Sequence, residues 1–330
     1  MRNEQWRRAV LLGAAGLLVA LSARTARAIT GAELIRSAPE RYGRFEARLR
    51  FAAGDGVVSS MFLWKDGSER EGVYWNEIDI EKVGADCRGY SSNVIYGTPK
   101  REAVVRVATS ADLCAEYHTH AIEWTPDRLV WTLDGAEVRR LSADELAAFE
   151  QNALPGMQLR FNLWVGDARF GGNFQPDILP VQQFIEWVAY ARYTPGVAGA
   201  EFTPAWREEF AAPLGAEWAF GTWDSPLGHS THSPANVTLD SGVGVLSLTA
   251  DSATGFTGGA PSEDAGGGTP GSAGTSGAAP GAAGADSGRP RASGCAASCG
   301  AGRTSGAAQL GLIGLGLVAV RVAGRRLNGR

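Results

Sequence analysis

The stretch Trp75-Asn76-Glu77-Ile78-Asp79-Ile80-Glu81 alternates carboxylates with isoleucines. Side chains alternate faces along a β-strand, so the carboxylates Glu77, Asp79 and Glu81 share one face while the isoleucines point into a core. Neighbouring anions repel and raise one another's pKa, which makes this arrangement costly unless the carboxylates perform chemistry. The reaction that fits best is cleavage of a glycosidic bond, because it needs a paired acid and nucleophile.

Most of the chain around this stretch is predicted to be β-strand. The one convincing helix is Ser142–Gln151, where Ser142 and Glu145 form a capping box. Short strands with turn signals between them, such as Asp134-Gly135, predict an all-β sandwich of two antiparallel sheets. The predicted strands are Tyr42–Phe51, Val57–Trp64, Trp75–Lys82, Ser92–Tyr96, Val104–Ala108, His118–Trp124, Leu129–Leu133, Ala136–Arg140, Met157–Val165 and Glu186–Thr194.

Both ends of the chain differ in composition from a folded domain. Residues 1–28 have the basic start, the apolar run Ala9–Leu21 and the small-residue cleavage site of a secretory signal peptide. Residues 251–294 are almost wholly Gly, Ala, Ser, Thr and Pro, which predicts a disordered linker. Residues 295–330 combine two cysteines, a short apolar stretch and terminal arginines. They predict either a marginal membrane anchor or a tail similar to the C-terminal sorting tails of myxobacterial secreted proteins.

The remaining domain, residues 29–250, is acidic and rich in tryptophan. It carries 19 Lys and Arg against 30 Asp and Glu, a formal charge of −11, which argues against binding nucleic acid and favours a neutral ligand. Nine of the ten tryptophans lie here, and a sugar-binding cleft requires exposed aromatic side chains beside carboxylates. Trp124 and Trp131 are predicted to belong to the core instead. Cys87 and Cys114 either form a disulfide, as expected after export, or stay free, because sequence does not give their separation.

These motifs together resemble glycoside hydrolase family 16, whose β-jelly-roll members include the bacterial lichenases. The carboxylate strand matches the family's Glu-x-Asp-x-Glu, and Tyr42–Glu46, Gly56–Trp64, His118–Asp127 and Asn162-Leu163-Trp164 resemble family strands in the same order. The resemblance covers nearly all of residues 31–195. It implies a concanavalin A-like jelly roll and a secreted or surface-attached enzyme that hydrolyses neutral β-glucan.

The resemblance also implies roles for individual residues. Glu77 would be the nucleophile, Glu81 the general acid/base, and Asp79 would tune both. The reaction needs no cofactor, although a structural calcium ion would be implied at Glu186, ahead of Trp187-Val188. Substrate contacts are predicted for Trp75, Arg36, Asn162, Trp164, His118 and His229, with a structural role as the alternative for His118.

The order of the segments departs from the family. The family's opening strands have no counterpart before Glu33, whereas Phe202–Phe210 and Pro234–Leu248 resemble them, which predicts a circular permutation in which residues 201–250 supply the first strands. The alternative is an unrelated C-terminal module. Gly228–His232 replaces a Phe-Asn-x-x-Trp run of lichenases, so a substrate subsite is expected to differ.

The uninterrupted Glu-x-Asp-x-Glu spacing resembles that of the lichenase and xyloglucan-type branches of the family. This resemblance implies β-1,3-1,4-glucan as the substrate, with xyloglucan and β-1,3-glucan open. A transglycosylase that uses the same residues and a non-catalytic carbohydrate-binding domain are the rival functions. The clustered carboxylates argue against a pure binding domain, because such a domain has no use for three neighbouring anions.

Overall fold

The computed structural model describes residues 28–152, 155–197, 199–250 and 253–261. The predicted signal peptide, most of the linker and the C-terminal tail therefore lie outside the described residues. The described residues contain one α-helix, α1 (Ala143–Phe149), which is capped by Ser142 and Glu145 as predicted. The strands are β1 (Ile29–Arg36), β2 (Gly43–Arg50), β3 (Val57–Trp64), β4 (Trp75–Val83), β5 (Gly89–Gly97), β6 (Arg101–Glu102), β7 (Val105–Ala108), β8 (His118–Trp124), β9 (Leu129–Leu133), β10 (Ala136–Arg140), β11 (Gln158–Val165), β12 (Val181–Val197), β13 (Ala200–Glu208), β14 (Trp218–Phe220), β15 (Thr231–His232), β16 (Val237–Asp240) and β17 (Val243–Ala250).

The strands form two antiparallel sheets, which confirms the predicted all-β sandwich. The first sheet runs β14-β1-β11-β3-β4-β5-β7, with β6 beside β5. The second runs β17-β12-β2-β8-β9-β10, with β16 beyond β17 and with β13 on the remaining length of β12. Strand β1 also pairs with β17 and, in parallel, with β15, so the two sheets are joined along one side.

The apolar faces of both sheets enclose one core. Ile78 and Ile80 of the carboxylate strand are fully buried in it, as the alternation predicts. Trp124 and Trp131 are also fully buried, which confirms their prediction as core residues. The indole Nε1 of Trp131 donates to the backbone carbonyl of Asp79 at 3.1 Å, so the second sheet supports the carboxylate strand from behind.

Residues 201–250 belong to the same sandwich as the strands before them. Strand β17 pairs with β12 and β1, and β14 pairs with β1. The predicted end of the domain at residue 250 is too early, because residues 253–261 also pack on it. Phe256 contacts Phe184 with ring centroids 5.6 Å apart, and Ala260 N donates to Asp240 Oδ2 at 2.6 Å. Composition alone hides this segment, since one aromatic side chain anchors it among small residues.

Cys87 and Cys114 form a disulfide with their Cα atoms 5.5 Å apart. The bridge joins the loop after β4 to the segment before β8. In the described ranges, no helix combines the length and the apolar character needed to cross a bilayer.

Candidate active site

Strand β4 carries its three carboxylates on the outer face of the first sheet, which we call the carboxylate face. The strand lies between β3 and β5, and its register sets Glu77 opposite Trp64 and Glu81 opposite Ser60. Asp79, between them, is only 2% exposed. The isoleucines on the other face hold the strand to the core, so the carboxylates keep fixed positions relative to one another.

Glu77 lies in a pocket that favours its protonated form more than water does. Burial is the main cause and raises the pKa of Glu77 to about 7. Three neighbours oppose this effect most directly. The indole Nε1 of Trp75 donates to Glu77 Oε2 at 2.8 Å, the ammonium group of Lys100 attracts the anion, and Asp79 hydrogen-bonds to it. These groups make Glu77 the more readily ionised of the two glutamates.

Asp79 has a pKa well above its ordinary value. The first cause is burial, and the charges of Glu77 and Glu81 and the hydrogen bond to Glu77 add to it. Asp79 therefore keeps its own proton, which it can donate in a hydrogen bond to Glu77 and so stabilise the anionic form of Glu77.

Glu81 is the weaker acid of the two glutamates. Burial and then the negative charges of Glu77 and Glu102 raise the pKa of Glu81 to about 8. Glu102 lies on β6, opposite Ile95, which is itself opposite Glu77, so it is on the same face. Two carboxyls with separated pKa values can divide the roles of nucleophile and proton donor.

Strand β11 places further polar and aromatic groups on the carboxylate face. Asn162 lies opposite Ser60 and hydrogen-bonds to its hydroxyl. Trp164 follows on the same face, but it is only 3% exposed because Phe170 stacks on it with ring centroids 5.9 Å apart. Trp75 contacts Trp64 edge to face at 5.2 Å. The structure therefore brings Trp75, Asn162 and Trp164 together with the three carboxylates.

Arg36 and His118, two of the predicted substrate contacts, lie elsewhere. Arg36 is on the opposite face of β1 from Glu33, and its guanidinium lies 4.6 Å from the ring centroid of Trp206. His118 belongs to β8 of the second sheet, where its Nδ1 is 2.8 Å from Asp134 Oδ2. Both side chains have structural partners there and do not reach the carboxylate face.

His229 is exposed in the segment before β15 and, with Asp167 and Asn173, lines an open hollow. Of the two histidines in this segment, His232, three residues later, is the one that lies beside the buried Glu33.

The residues at Glu186 do not fit a calcium site. Glu186 Oε2 lies 2.7 Å from Nε of Arg48, so the charge of this carboxylate is already paired with a cation of the protein. Within the described residues, the one cluster with metal-ligand spacing is Cys87, Asp112 and Cys114, and its two cysteines are bound to each other. We therefore derive no role for calcium.

The sequence pattern did not single out several residues of the carboxylate face. Arg160 precedes Asn162 by two positions on β11 and so shares its face, a signal that alternation could have provided. Arg160 lies between the rings of Trp64 and Trp223, and its Nη1 donates to Glu33 Oε1 at 3.1 Å. No local pattern could show that Trp223 reaches this place, since it comes from a distant loop.

The chain has relatives among known glycosidases. It is 37% identical over 268 residues to a β-glucanase of Fibrobacter succinogenes, covering 78% of this chain and 73% of that protein. Among solved structures it is similar to the Bacillus licheniformis β-glucanase, at 27% identity over 46% of this chain and 67% of that chain, with a TM-score of 0.40. It is also similar to a Crh5 transglycosylase, at 25% identity over 52% of this chain and 74% of that chain, with a TM-score of 0.39. The sequence pattern described as glycosyl hydrolases family 16 matches residues 15–187, more than half of the chain, and the chain therefore belongs to that family.

Proposed function

We propose that the chain is a secreted or surface-attached endo-β-glucanase that hydrolyses β-1,3-1,4-glucan with retention of configuration. The observation that carries the proposal is the single strand that presents Glu77, Asp79 and Glu81 together, with the pKa of Glu77 near 7 and that of Glu81 near 8. A retaining hydrolase needs one ionised and one protonated carboxyl on opposite sides of the scissile bond. These two glutamates supply that pair in the neutral pH range.

The reaction proceeds in two displacements. Ionised Glu77 attacks the anomeric carbon while Glu81 gives its proton to the departing glycosidic oxygen, and a covalent glycosyl ester forms on Glu77. Glu81, now ionised, takes a proton from a water molecule whose oxygen attacks the same carbon and releases Glu77. Asp79 keeps its proton and donates to Glu77, so it favours both the anionic nucleophile and its return as a leaving group.

β-Glucan as the substrate is supported by the relatives, since the Fibrobacter and Bacillus proteins are named β-glucanases. The acidic charge of the domain favours a neutral polysaccharide over nucleic acid. The mixed-linkage form rests on the uninterrupted Glu-x-Asp-x-Glu spacing. Export to the cell exterior rests on the predicted signal peptide and the C-terminal tail, which would contact a membrane or a sorting machinery.

A circular permutation is part of the proposal. In support of it, β14 and β17, which follow residue 200, pair with β1, the first strand of the segment that resembles the family. A rearranged chain in which residues 201–261 precede residues 29–197 should fold and hydrolyse the same substrate. Failure of that chain, beside an active original, would argue for an unrelated C-terminal module.

The test of function compares the wild-type chain with Glu77→Gln and with Glu71→Gln, an exposed loop residue that serves as the matched control. Barley β-glucan, lichenan, laminarin and xyloglucan are the substrates, and NMR records the anomer released first. We expect the β-anomer from barley β-glucan, full activity in the control and none in Glu77→Gln. Activity in Glu77→Gln would refute the assignment. Transfer of sugar to added oligosaccharides in place of hydrolysis would identify a transglycosylase.

A further inference from the structure

A buried cluster on the carboxylate face joins β1, β11 and the segment around β15. Its centre is Glu33, which is 3% exposed. Arg160 Nη1 donates to one carboxylate oxygen at 3.1 Å, and His232 Nδ1 lies 3.3 Å from the other. The indole of Trp223 is a further hydrogen-bond partner of Glu33. We call these four residues the Glu33 cluster.

His232 is the unusual member of the Glu33 cluster. It is 3% exposed, and neither ring nitrogen has a hydrogen-bond partner among the described residues. Burying two polar nitrogens without partners is unfavourable, so the side chain at this position is not explained by packing. Glu33 Oε2 lies 3.3 Å from Nδ1, close enough to accept a hydrogen bond once the ring is aligned, as happens to catalytic hydrogen bonds when substrate binds.

The cluster is packed tightly enough to hold the ring in place. A Cβ at Gly221 would lie 2.8 Å from Cβ of Glu33 and 3.2 Å from Cβ of His232, so glycine is needed there for the two side chains to approach. The backbone N of His232 also donates to the carbonyl of Trp223 at 2.9 Å. Any shift of His232 is therefore transmitted to both Glu33 and Trp223.

The exposed side of the cluster is suited to a sugar ring. Trp223 is 44% exposed, and the guanidinium of Arg160 lies 5.9 Å from its ring centroid and 5.6 Å from that of Trp64. An indole face next to a fixed guanidinium offers an apolar surface together with hydrogen-bond donors. Strand β1 is three strands from β4, a distance of about 14 Å at the usual strand spacing, so this surface lies away from the bond that is cleaved.

We propose that His232 is a positioning residue for a remote sugar subsite: it holds the second oxygen of Glu33, and Glu33 in turn fixes Arg160 and Trp223 against the polysaccharide. The inference rests on the proposed function for the identity of the sugar. His232 itself touches no substrate. Its effect therefore appears in substrate binding, and only for chains long enough to reach Trp223.

The experiment uses the full chain with His232→Phe, which keeps the ring and removes the nitrogens, and His232→Asn, whose amide nitrogen can take the place of Nδ1. The probes are β-1,3-1,4-gluco-oligosaccharides from trisaccharide to hexasaccharide. For the longest we expect His232→Phe to raise KM about tenfold, the effect of one hydrogen bond, with kcat nearly unchanged. The shortest cleaved probe should be unaffected, and His232→Asn should recover most of the loss.

Three results would overturn the proposal: an equal effect of His232→Phe on short and long probes, a fall in kcat at constant KM, or no recovery in His232→Asn. Should His232→Phe not fold, Trp223→Ala removes an exposed side chain instead and must show the same dependence on probe length.

Calorimetry of probe binding to Glu77→Gln, with and without His232→Phe, separates this inference from the proposed function. If the wild-type chain cleaved no β-glucan, the hydrolase assignment would fail, and a length-dependent loss of affinity on adding His232→Phe would still support the subsite.

Discussion

Replacing Glu81 by Gln should stabilise the fold in neutral solution while it removes hydrolysis. The folded protein holds a proton on Glu81 up to a pKa of about 8, whereas the ordinary value is 4.5. Between these values the unfolded chain releases a proton that the folded chain keeps, so stability is lost as the pH rises through this window. An amide resembles the protonated carboxyl and carries no such cost.

The size of the effect follows from the window. From 4.5 to pH 7 is about 2.5 pH units, each worth about 1.4 kcal/mol, which gives an upper value of about 3 kcal/mol. Glu81 is partly exposed, and solvent screening reduces the expected gain to about 2 kcal/mol. The gain should be near zero at pH 4.5, where the carboxyl of the unfolded chain is itself half protonated.

Urea unfolding of wild type, Glu81→Gln and the control Glu71→Gln, at intervals from pH 4.5 to pH 8, measures this difference. We expect the free energy of unfolding of Glu81→Gln to exceed that of wild type increasingly with pH, and the control to follow wild type throughout. A stability difference that is constant with pH, or a Glu81→Gln protein less stable than wild type at pH 7, would refute the reasoning that burial of Glu81 destabilises the folded protein at neutral pH.

Three further predictions concern charge, covalent linkage and the C-terminal edge. Lys100→Met should move both limbs of the pH–activity profile to higher pH, because Lys100 lowers the pKa of Glu77 and of Glu81. Glu102→Gln should move only the alkaline limb, to lower pH, because the charge of Glu102 raises the pKa of Glu81. Replacing both Cys87 and Cys114 by Ser should lower the free energy of urea unfolding by about 3 to 4 kcal/mol, since the bridge closes a loop of 27 residues in the unfolded chain. Phe256→Ala should cost about 1 to 2 kcal/mol of stability at pH 7, measured in the same way, if residues 253–261 are part of the domain.

Local pattern predicts the strands of this fold well because each is a short alternating or wholly apolar run bounded by turn residues. Val57–Trp64, His118–Trp124 and Leu129–Leu133 have the predicted limits, and the carboxylate strand is longer by one residue. Strand β12 extends well beyond the predicted Glu186–Thr194, because it pairs with β2 on one side and with β17 and β13 on the other. Its length is set by partners that are distant in sequence.

The candidate site is predictable only where residues share a strand or a register. The three carboxylates share β4, and Asn162 is linked to them by pairing with β3. His118 has the same kind of local sequence, yet it lies in the second sheet, and alternation cannot say to which sheet a strand belongs. Arg36 lies on the other face of β1 from Glu33, because three positions separate them and an odd separation reverses the face; only the pairing of β1 with β11 shows which of the two lies beside the carboxylates.

The stability of β4 explains how three carboxylates can share one face. Burying Ile78 and Ile80 contributes about 1.5 to 3 kcal/mol each, which is comparable with the screened cost of about 2 kcal/mol given above for Glu81 at neutral pH. The bond from Trp131 Nε1 to the carbonyl of Asp79 adds an anchor from the second sheet. The packing of its apolar face therefore lets β4 tolerate the unfavourable burial of its carboxylates. Under this condition Glu77 and Glu81 retain separate pKa values near neutrality. Loss of the apolar anchor should then affect catalysis through the geometry of the carboxylates before the chain unfolds.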